Sequence, residues 1–367
     1  MNERGSALVA VLGLTMLLLP LGAFVVLQCR TDFMIQRNLR GEIEAFQVAE
    51  AGLEHALSEI APGGAFDGVL AGPDGIAGNG DDGVFPFTEG WPAEFPQAPF
   101  RYDVRVTASG LGGMRLTSYG SGAGGSSKNL EALVVRSPLP YTPAALYVET
   151  ALTNVELGAG GFEISGFDHR SVDQQAVAGD ATAPLPALSS PSAEWEGLLR
   201  QRLSTSVAGL LTGNGGAPSI ATAPALDLQP YAARVINRTE ATRVSGAPAP
   251  SLLGTTEAPQ LSVISGDLDV VNQLSGSGVL VVDGALHVSG TFDFSGLVLA
   301  LGAIVFEPSS TVEVVGAVWR AASQDERLGL QGRGAIVYGS AALAQADRAF
   351  PGVLPHAAVA TGWHEPL

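Results

Sequence analysis

The distribution of apolar positions divides the chain into three stretches with different periods. From Ser6 to Leu27 it reads SALVAVLGLTMLLLPLGAFVVL, 22 residues without a charge. As a helix they would span about 30 Å, the thickness of a bilayer's hydrocarbon core. Only a helix satisfies every backbone donor and acceptor of one segment in that medium. Beyond Gln28 charges enter, and the apolar residues Leu39, Ile43, Phe46, Leu53, Leu57 and Ile60 recur at separations of three, four and seven. That is the stripe of an amphipathic helix. No turn signal separates the two halves, and Pro62-Gly63-Gly64 supplies the stop. One rod of roughly 55 residues, about 80 Å long, is predicted. Pro20 lies inside its apolar half, where a missing N–H and a ring clash predict a kink or a locally melted turn.

Alternation takes over after a Gly/Pro/Asp-rich connection at 62–99. FRYDVRVTA from Phe100, MRLTSYG from Met114 and NLEALVVRS from Asn129 read as a three-stranded antiparallel sheet. Its apolar face needs a cover, and the second half of the rod is the nearest element available.

Further on the pattern shortens to strands of three to five residues between turns. GVLVVDG, ALHVSG, TFDFSG, GLVLALG, AIVFEPSS, TVEVVG, GAVWRAA and GAIVYG follow one another. The glycines that open these units, Gly278, Gly296, Gly316 and Gly334, are separated by 18, 20 and 18 residues. That period suits one turn of a right-handed parallel β-helix, whose turns stack their apolar faces inward. ALYVETALTNVELGAGGFEISG at Ala145–Gly166 reads as another turn of the same solenoid, despite an interruption over about 169–260. Within that interruption Trp195, Leu198, Leu199, Leu203, Val207 and Leu210 have helical spacing, with Ser192 as a cap and Glu194 and Glu196 in the first turn. A helix over Ser192–Leu211 is predicted, covering an end or flank of the solenoid. The last stretch, Asp347–Leu367, is expected to cap the opposite end.

Composition changes this picture only at its edges. Apolar residues make up 46% and charged residues 15% of the 367, with 47 Gly and 23 Pro. This is too apolar for disorder and too aperiodic for collagen. The net charge is -17, and Lys128 is the only lysine. Without a cluster of phosphate-neutralising cations, no nucleic-acid partner is expected. Cys29 is the single cysteine, so an intrachain disulfide is excluded. It is read as a small apolar residue near the end of the membrane segment.

Chemistry is sparse. Asp74, Asn79, Asp81 and Asp82 in GPDGIAGNGDDG offer hard oxygen ligands for calcium. Their spacing departs from the EF-hand, and Asp-Gly and Asn-Gly pairs form turns, so a solvated loop without a metal is expected. His55, His169, His287, His356 and His364 make no short metal-binding pair, and HExxH, CxxC and GxSxG are absent. Asp168-His169 is the remaining catalytic candidate, equally readable as the end of a solenoid turn. Asp283, Asp293, Glu307 and Glu313 would matter for glycan chemistry only if they converged. The Gly-rich stretches lack a following Lys-Ser/Thr and read as turns. No catalytic site and no cofactor are expected.

The leader ending in Arg4-Gly5, the stretch RGSALVAVLGLTMLLLPL and the later RNLRGEIEAFQVAEAGLEHAL together resemble type IV prepilins, in particular the PilX-type N-terminal module of minor pilins. The resemblance covers about one sixth of the chain. It implies a leader at 1–5, cut after Gly5 by a prepilin peptidase to expose Ser6, and an assembly helix over 6–61. A pilin-like loop and sheet would follow at 62–137, and a β-helix-like domain at 138–367. The implied fold class is thus α+β, a membrane-spanning pilin helix on a small antiparallel sheet followed by an all-β solenoid with a helical insertion. The implied partners are major and other minor pilins and the inner-membrane assembly machinery. The leader would lie in the cytoplasm and the bulk in the periplasm before transfer to a surface pilus, although Arg30, Arg37 and Arg40 follow the apolar segment. Major pilins carry a glutamate at the fifth mature position; Ala10 stands there in this chain. A carboxylate in hydrocarbon is costly, so its absence alters which neighbours are accepted and suits a sparse or tip position. Competing readings are a large tip pseudopilin of type II secretion, a membrane-tethered β-helical polysaccharide enzyme, and a plain anchored structural protein.

Overall fold

The computed structural model describes residues 3–60, 101–109, 113–122, 125–157, 161–171, 183–245, 249–321 and 327–365. They form two compact units. One holds the helix as far as Ser58, the strands up to Val135 and the stretch from Ala360; the other holds Arg136–Val359 together with the helix end beyond Ser58.

In the first unit a single helix runs over Glu3–Ile60. It continues through Pro20, so the expected melted turn does not occur. A proline removes one donor, and the rest of the helical ladder persists around it. Strands Arg101–Ser109, Gly113–Ser121 and Ser127–Pro140 make an antiparallel meander with Val104 opposite Ser118 and Leu116 opposite Ala132. The positions of all three agree with the alternation in the sequence. Tyr102, Val104, Val106, Met114, Leu116, Leu130, Ala132 and Val134 are buried, which defines one covered face.

A fourth strand, His356–His364, joins the sheet beside Ser127–Pro140. This corrects two expectations. Only the first part of the C-terminal stretch covers the solenoid, where Val353 and Leu354 join its buried core, and the rest forms this strand. The solenoid does not simply follow the sheet but is inserted between its third and fourth strands. Most of that last strand is exposed, so it carries little of the apolar alternation that reveals a strand.

The second unit is the parallel β-solenoid. Its long ladder stacks Gln260–Ser265, Gln273–Val282, Thr291–Ala300, Thr311–Arg320, Arg333–Tyr338 and Glu163–Ser165. A second ladder stacks Leu268–Val270, Leu286–Val288, Ile304–Phe306, Arg327–Leu330 and Asn154–Leu157. The early turn at Ala145–Gly166 therefore belongs to the same solenoid, as the sequence suggests, and the structure docks it onto the last of the late turns. Register places Leu274, Phe292 and Val312 in one interior row and Leu286, Ile304 and Leu328 in another, all fully buried. Each such side chain contributes about 1.5–3 kcal/mol of transfer free energy.

The corner glycines have a steric cause. TFDFSG and GLVLALG are one ten-residue strand, bent at Gly296, and TVEVVG with GAVWRAA is another, bent at Gly316. Gly278, Gly296 and Gly316 align across the ladder with φ of +120°, +133° and +143°. A Cβ on Gly316 would lie 1.9 Å from the carbonyl oxygen of Gly296. Gly334 breaks the row: it stands opposite Val312, because the intervening turn is longer.

Helices Leu228–Ile236 and Ser340–Ala349 pack on the outer side of these strands. The strand halves after each glycine, such as Val279–Val282, are consequently buried on both faces. Tyr231 meets Trp319 edge-on with centroids 5.6 Å apart, and its hydroxyl donates to the Val353 carbonyl at 2.8 Å. The helix predicted over Ser192–Leu211 is present but shorter. Ser192 caps Ala193–Arg202 by accepting from Trp195 N–H. Leu203 then turns extended, and Ser204 caps a separate short helix, Thr205–Ala208.

Candidate functional site

The long helix changes character near Gly41. Each large apolar side chain from Val11 to Ile43 is at least half exposed, with Leu19 reaching 74%. A water-soluble protein rarely leaves a continuous apolar surface of that size open. By length and composition the segment can cross a membrane. Its two threonine hydroxyls are satisfied within the helix: Thr15 Oγ1 donates to the carbonyls of Val11 and Leu12 at 3.0 Å, and Thr31 Oγ1 to that of Leu27 at 2.9 Å.

From Gly41 onward the helix lies on the sheet, and the face it presents is made chiefly of small residues. Gly41, Ala45, Val48, Ala49, Gly52, Leu53, Ala56 and Ile60 are buried. Close approach follows from their size. A Cβ on Gly120 would lie 2.3 Å from the Ala45 carbonyl oxygen, and one on Gly52 would lie 2.4 Å from Ser118 Oγ. Ser126 Oγ donates to the Gly41 carbonyl at 2.7 Å. His55 Nδ1 and the Tyr102 hydroxyl are 2.6 Å apart, and burial holds the Tyr102 phenol above its ordinary range.

The predicted stripe is divided between the two sides of the helix. Of its members, Leu53 and Ile60 are buried and Leu57 is half-buried, but Leu39 and Ile43 are 58% and 52% exposed. Phe46 is half-buried, with its ring edge-on to Trp363 at 5.7 Å. Large residues set the helical spacing, whereas the contact with the sheet favours alanine and glycine. The same helix therefore offers two faces at Leu39–Ile60, one closed by its own sheet and one open. Gly5, Ser6 and Ala10 all lie in the helical backbone upstream.

Other predicted positions resolve differently. Asp74, Asn79, Asp81 and Asp82 lie outside the described residues. Asp168 accepts from the Ser340 N–H at 2.8 Å and also from its hydroxyl, which anchors the start of Ser340–Ala349. His169 is buried with Nε2 3.0 Å from Ser165 Oγ, and its N–H donates to the Tyr338 carbonyl. Asp168 thus ties this solenoid turn to the helix, and His169 ties it to the neighbouring strand Arg333–Tyr338. Of the four acidic candidates, register brings together only Asp293 and Glu313, on adjacent strands. Burial raises the Asp293 carboxyl above its usual range. Asp283 and Glu307 sit in turns after other strands.

Spacing along the chain gives His356 no partner, whereas the fold gives it two. Only 5% exposed, it donates from Nδ1 to the Ser137 carbonyl at 2.8 Å and places Nε2 3.0 Å from Asp347 Oδ1. The Asp347 carboxylate raises its basicity, which outweighs burial and the opposing Arg136 charge.

No family model matches the chain, and no curated protein matches it. Among solved structures, it is similar to the competence-associated pilin ComZ from Thermus thermophilus, at 11% identity over 89% of this chain and 98% of that one, with a TM-score of 0.24.

Proposed function

We propose that this chain is a prepilin-like assembly subunit whose role is packing into a filament, not catalysis. The observation that carries the reading is the unbroken helix Glu3–Ile60, open and apolar over one half and closed on a sheet by small residues over the other. In the membrane, lipid would cover the open half. Transfer into a bundle of like helices exchanges lipid contacts for side-chain contacts at little hydrophobic cost, so specificity must come from close packing. Leu39 and Ile43 extend that open surface onto the half that carries the head, where a neighbouring helix would meet it.

In this scheme a prepilin peptidase in the inner membrane cuts after Gly5 and leaves Ser6 as the new N-terminus, with the bulk of the chain in the periplasm. The partners are major and other minor pilins. Ala10, in place of a carboxylate, favours a sparse or terminal station. The solenoid inserted in the sheet then projects from the fibre and is available for adhesion or for contact with a partner subunit. N-terminal sequencing of protein recovered from cells tests the reading: a start at Ser6 is expected. A chain that keeps Met1, or one severed beyond Leu27, would refute it.

A further inference from the structure

One end of the solenoid's second ladder is unfinished. The turn at Ala145–Gly166 contributes strands Leu146–Val148, Asn154–Leu157 and Glu163–Ser165, each paired to the turn before it. The chain then continues two of these three ladders. Leu188–Ser190 pairs with the first strand, and Leu211–Thr212 pairs with the third. Over the middle strand, helices Ala193–Arg202 and Thr205–Ala208 replace the strand that would come next. A helix has spent its N–H groups on its own carbonyls and cannot extend a ladder. Asn154–Leu157 is therefore the terminal strand of its five-stranded sheet, paired on one side to Arg327–Leu330. Among the described residues its other edge has no backbone partner.

That edge borders an open groove of about 650 Å³, lined on its apolar side by Leu152, Leu157, Trp195, Leu198, Leu203 and Val207. The helix does not close it. Trp195 Nε1 donates to the Leu152 carbonyl at 3.1 Å and pins the helix there, with Trp195 and Leu199 each 4% exposed. Leu198, on the same helix, stays 44% exposed. An edge strand guarded by a helix would be expected to have the lid packed down along its length; here the helix stands off and leaves an apolar floor.

We infer that this groove receives an extended peptide segment of a partner chain, added as a strand to Asn154–Leu157. The occupant follows from the chemistry of the edge. Donors and acceptors at strand spacing match another extended backbone, and the apolar floor accepts its alternate side chains. Four residues of edge are about 13 Å long, enough for a segment of about four to six residues. Glu156 and Glu194 outnumber Arg202 around the rim, so a neutral or basic flank fits better than an acidic one. The groove lies within the solenoid, and this inference stands or falls independently of leader cleavage and filament assembly.

The test uses the full chain in detergent and a panel of synthetic peptides of about seven residues, with Val, Leu, Ile, Phe or Tyr at alternate positions and Thr or Lys between them. Hydrogen exchange followed across residues 150–157 reads strand addition directly. At least one peptide is expected to bind more tightly than about 1 mM and to slow exchange of the edge amides roughly tenfold or more. Methylating its backbone nitrogens at alternate positions should abolish the protection, and Leu198→Asp should weaken binding roughly tenfold while leaving the unbound exchange pattern intact. The inference is overturned if no peptide in the panel protects these amides near 1 mM. It is equally overturned if the methylated peptide or the Leu198→Asp protein binds as well as the unmodified pair, since the groove would then be merely sticky.

Discussion

Between Val11 and Ile43 the long helix exposes each of its large apolar side chains, whereas between Gly41 and Ile60 it buries chiefly small ones. Hydrophobicity alone would have put the larger residues inside. The contrast separates two demands on one rod. The open half must be soluble in an apolar surrounding, and there bulk is an advantage. The closed half must bring its backbone against a sheet, and there each extra methyl group is an obstacle. Glycine makes the difference measurable. A Cβ on Gly13 or Gly22 would meet nothing within 4 Å, while one on Gly120, facing the helix from the sheet, would meet Ala45 and Ala49 atoms closer than 3 Å.

The largest effect is accordingly expected from Gly120→Val. The side chain cannot be placed unless the helix lifts off the sheet, and overpacking of this kind costs about 3 kcal/mol or more. Hydrogen exchange of Gly113–Ser121 in the detergent-solubilised protein should accelerate by more than about a hundredfold. Gly22→Ala, the same kind of enlargement in the open half, should leave those amides unchanged. If both substitutions behaved alike, the division of the helix at Gly41 would lose its basis.

A smaller effect is expected where the sheet's fourth strand begins. His356 sits between the Ser137 carbonyl and the Asp347 carboxylate, an arrangement that favours the imidazolium. Its folded pKa is raised above the ordinary histidine value of about 6.5. The stabilisation is therefore complete below about pH 6.5 and is lost as the pH rises through the raised folded value. Charge-assisted hydrogen bonds of this kind contribute about 1.5–3 kcal/mol. Thermal melts should show a midpoint that falls by a few degrees between about pH 6 and pH 9, and His356→Gln should flatten that slope while lowering the acidic limb. A midpoint rising over the same range would mean that the ring is neutral when folded.

How far the sequence foretold these features depended on side-chain size and on chain separation. The three antiparallel strands, the stacked turn at Ala145–Gly166 and the Ser192 cap were legible because each leaves a local mark, whether alternation, period or a capping hydroxyl. The helix after Ser192 ends sooner than its spacing predicts, because Leu203, Val207 and Leu210 keep helical spacing across a break that Ser204 creates by capping a new helix. The glycine period marks the turns, but it does not tell which glycines share a corner: Gly334 keeps the period and yet pairs with Val312 once the turn lengthens. Two features left almost no mark. The strand His356–His364 is mostly exposed, and its neighbour in the sheet lies more than 200 positions earlier. The small-residue face of the helix is invisible to any reading that counts large apolar residues. Leu39 and Ile43, which share the stripe's spacing, lie on the open side of the helix.

Those two residues give the finest test of the comparison, because its expected outcome is a dissociation between stability and assembly. Leu53 is 4% exposed, and Leu53→Ala should cost about 2–5 kcal/mol through the cavity it leaves. Leu39→Ser and Ile43→Ser alter side chains that are each more than half exposed. Each should change stability by less than about 0.5 kcal/mol, read from the same exchange measurement on Gly113–Ser121. If neighbouring helices cover this surface in a filament, the pair of serines should nevertheless remove the chain from sheared fibres while membrane levels stay normal, because a hydroxyl presented to a close-packed helix loses contacts that lipid or water would not have supplied. Loss of stability comparable to Leu53→Ala would show instead that the open side is closed within the subunit. Normal stability with normal incorporation would leave the apolar segment as a membrane anchor alone.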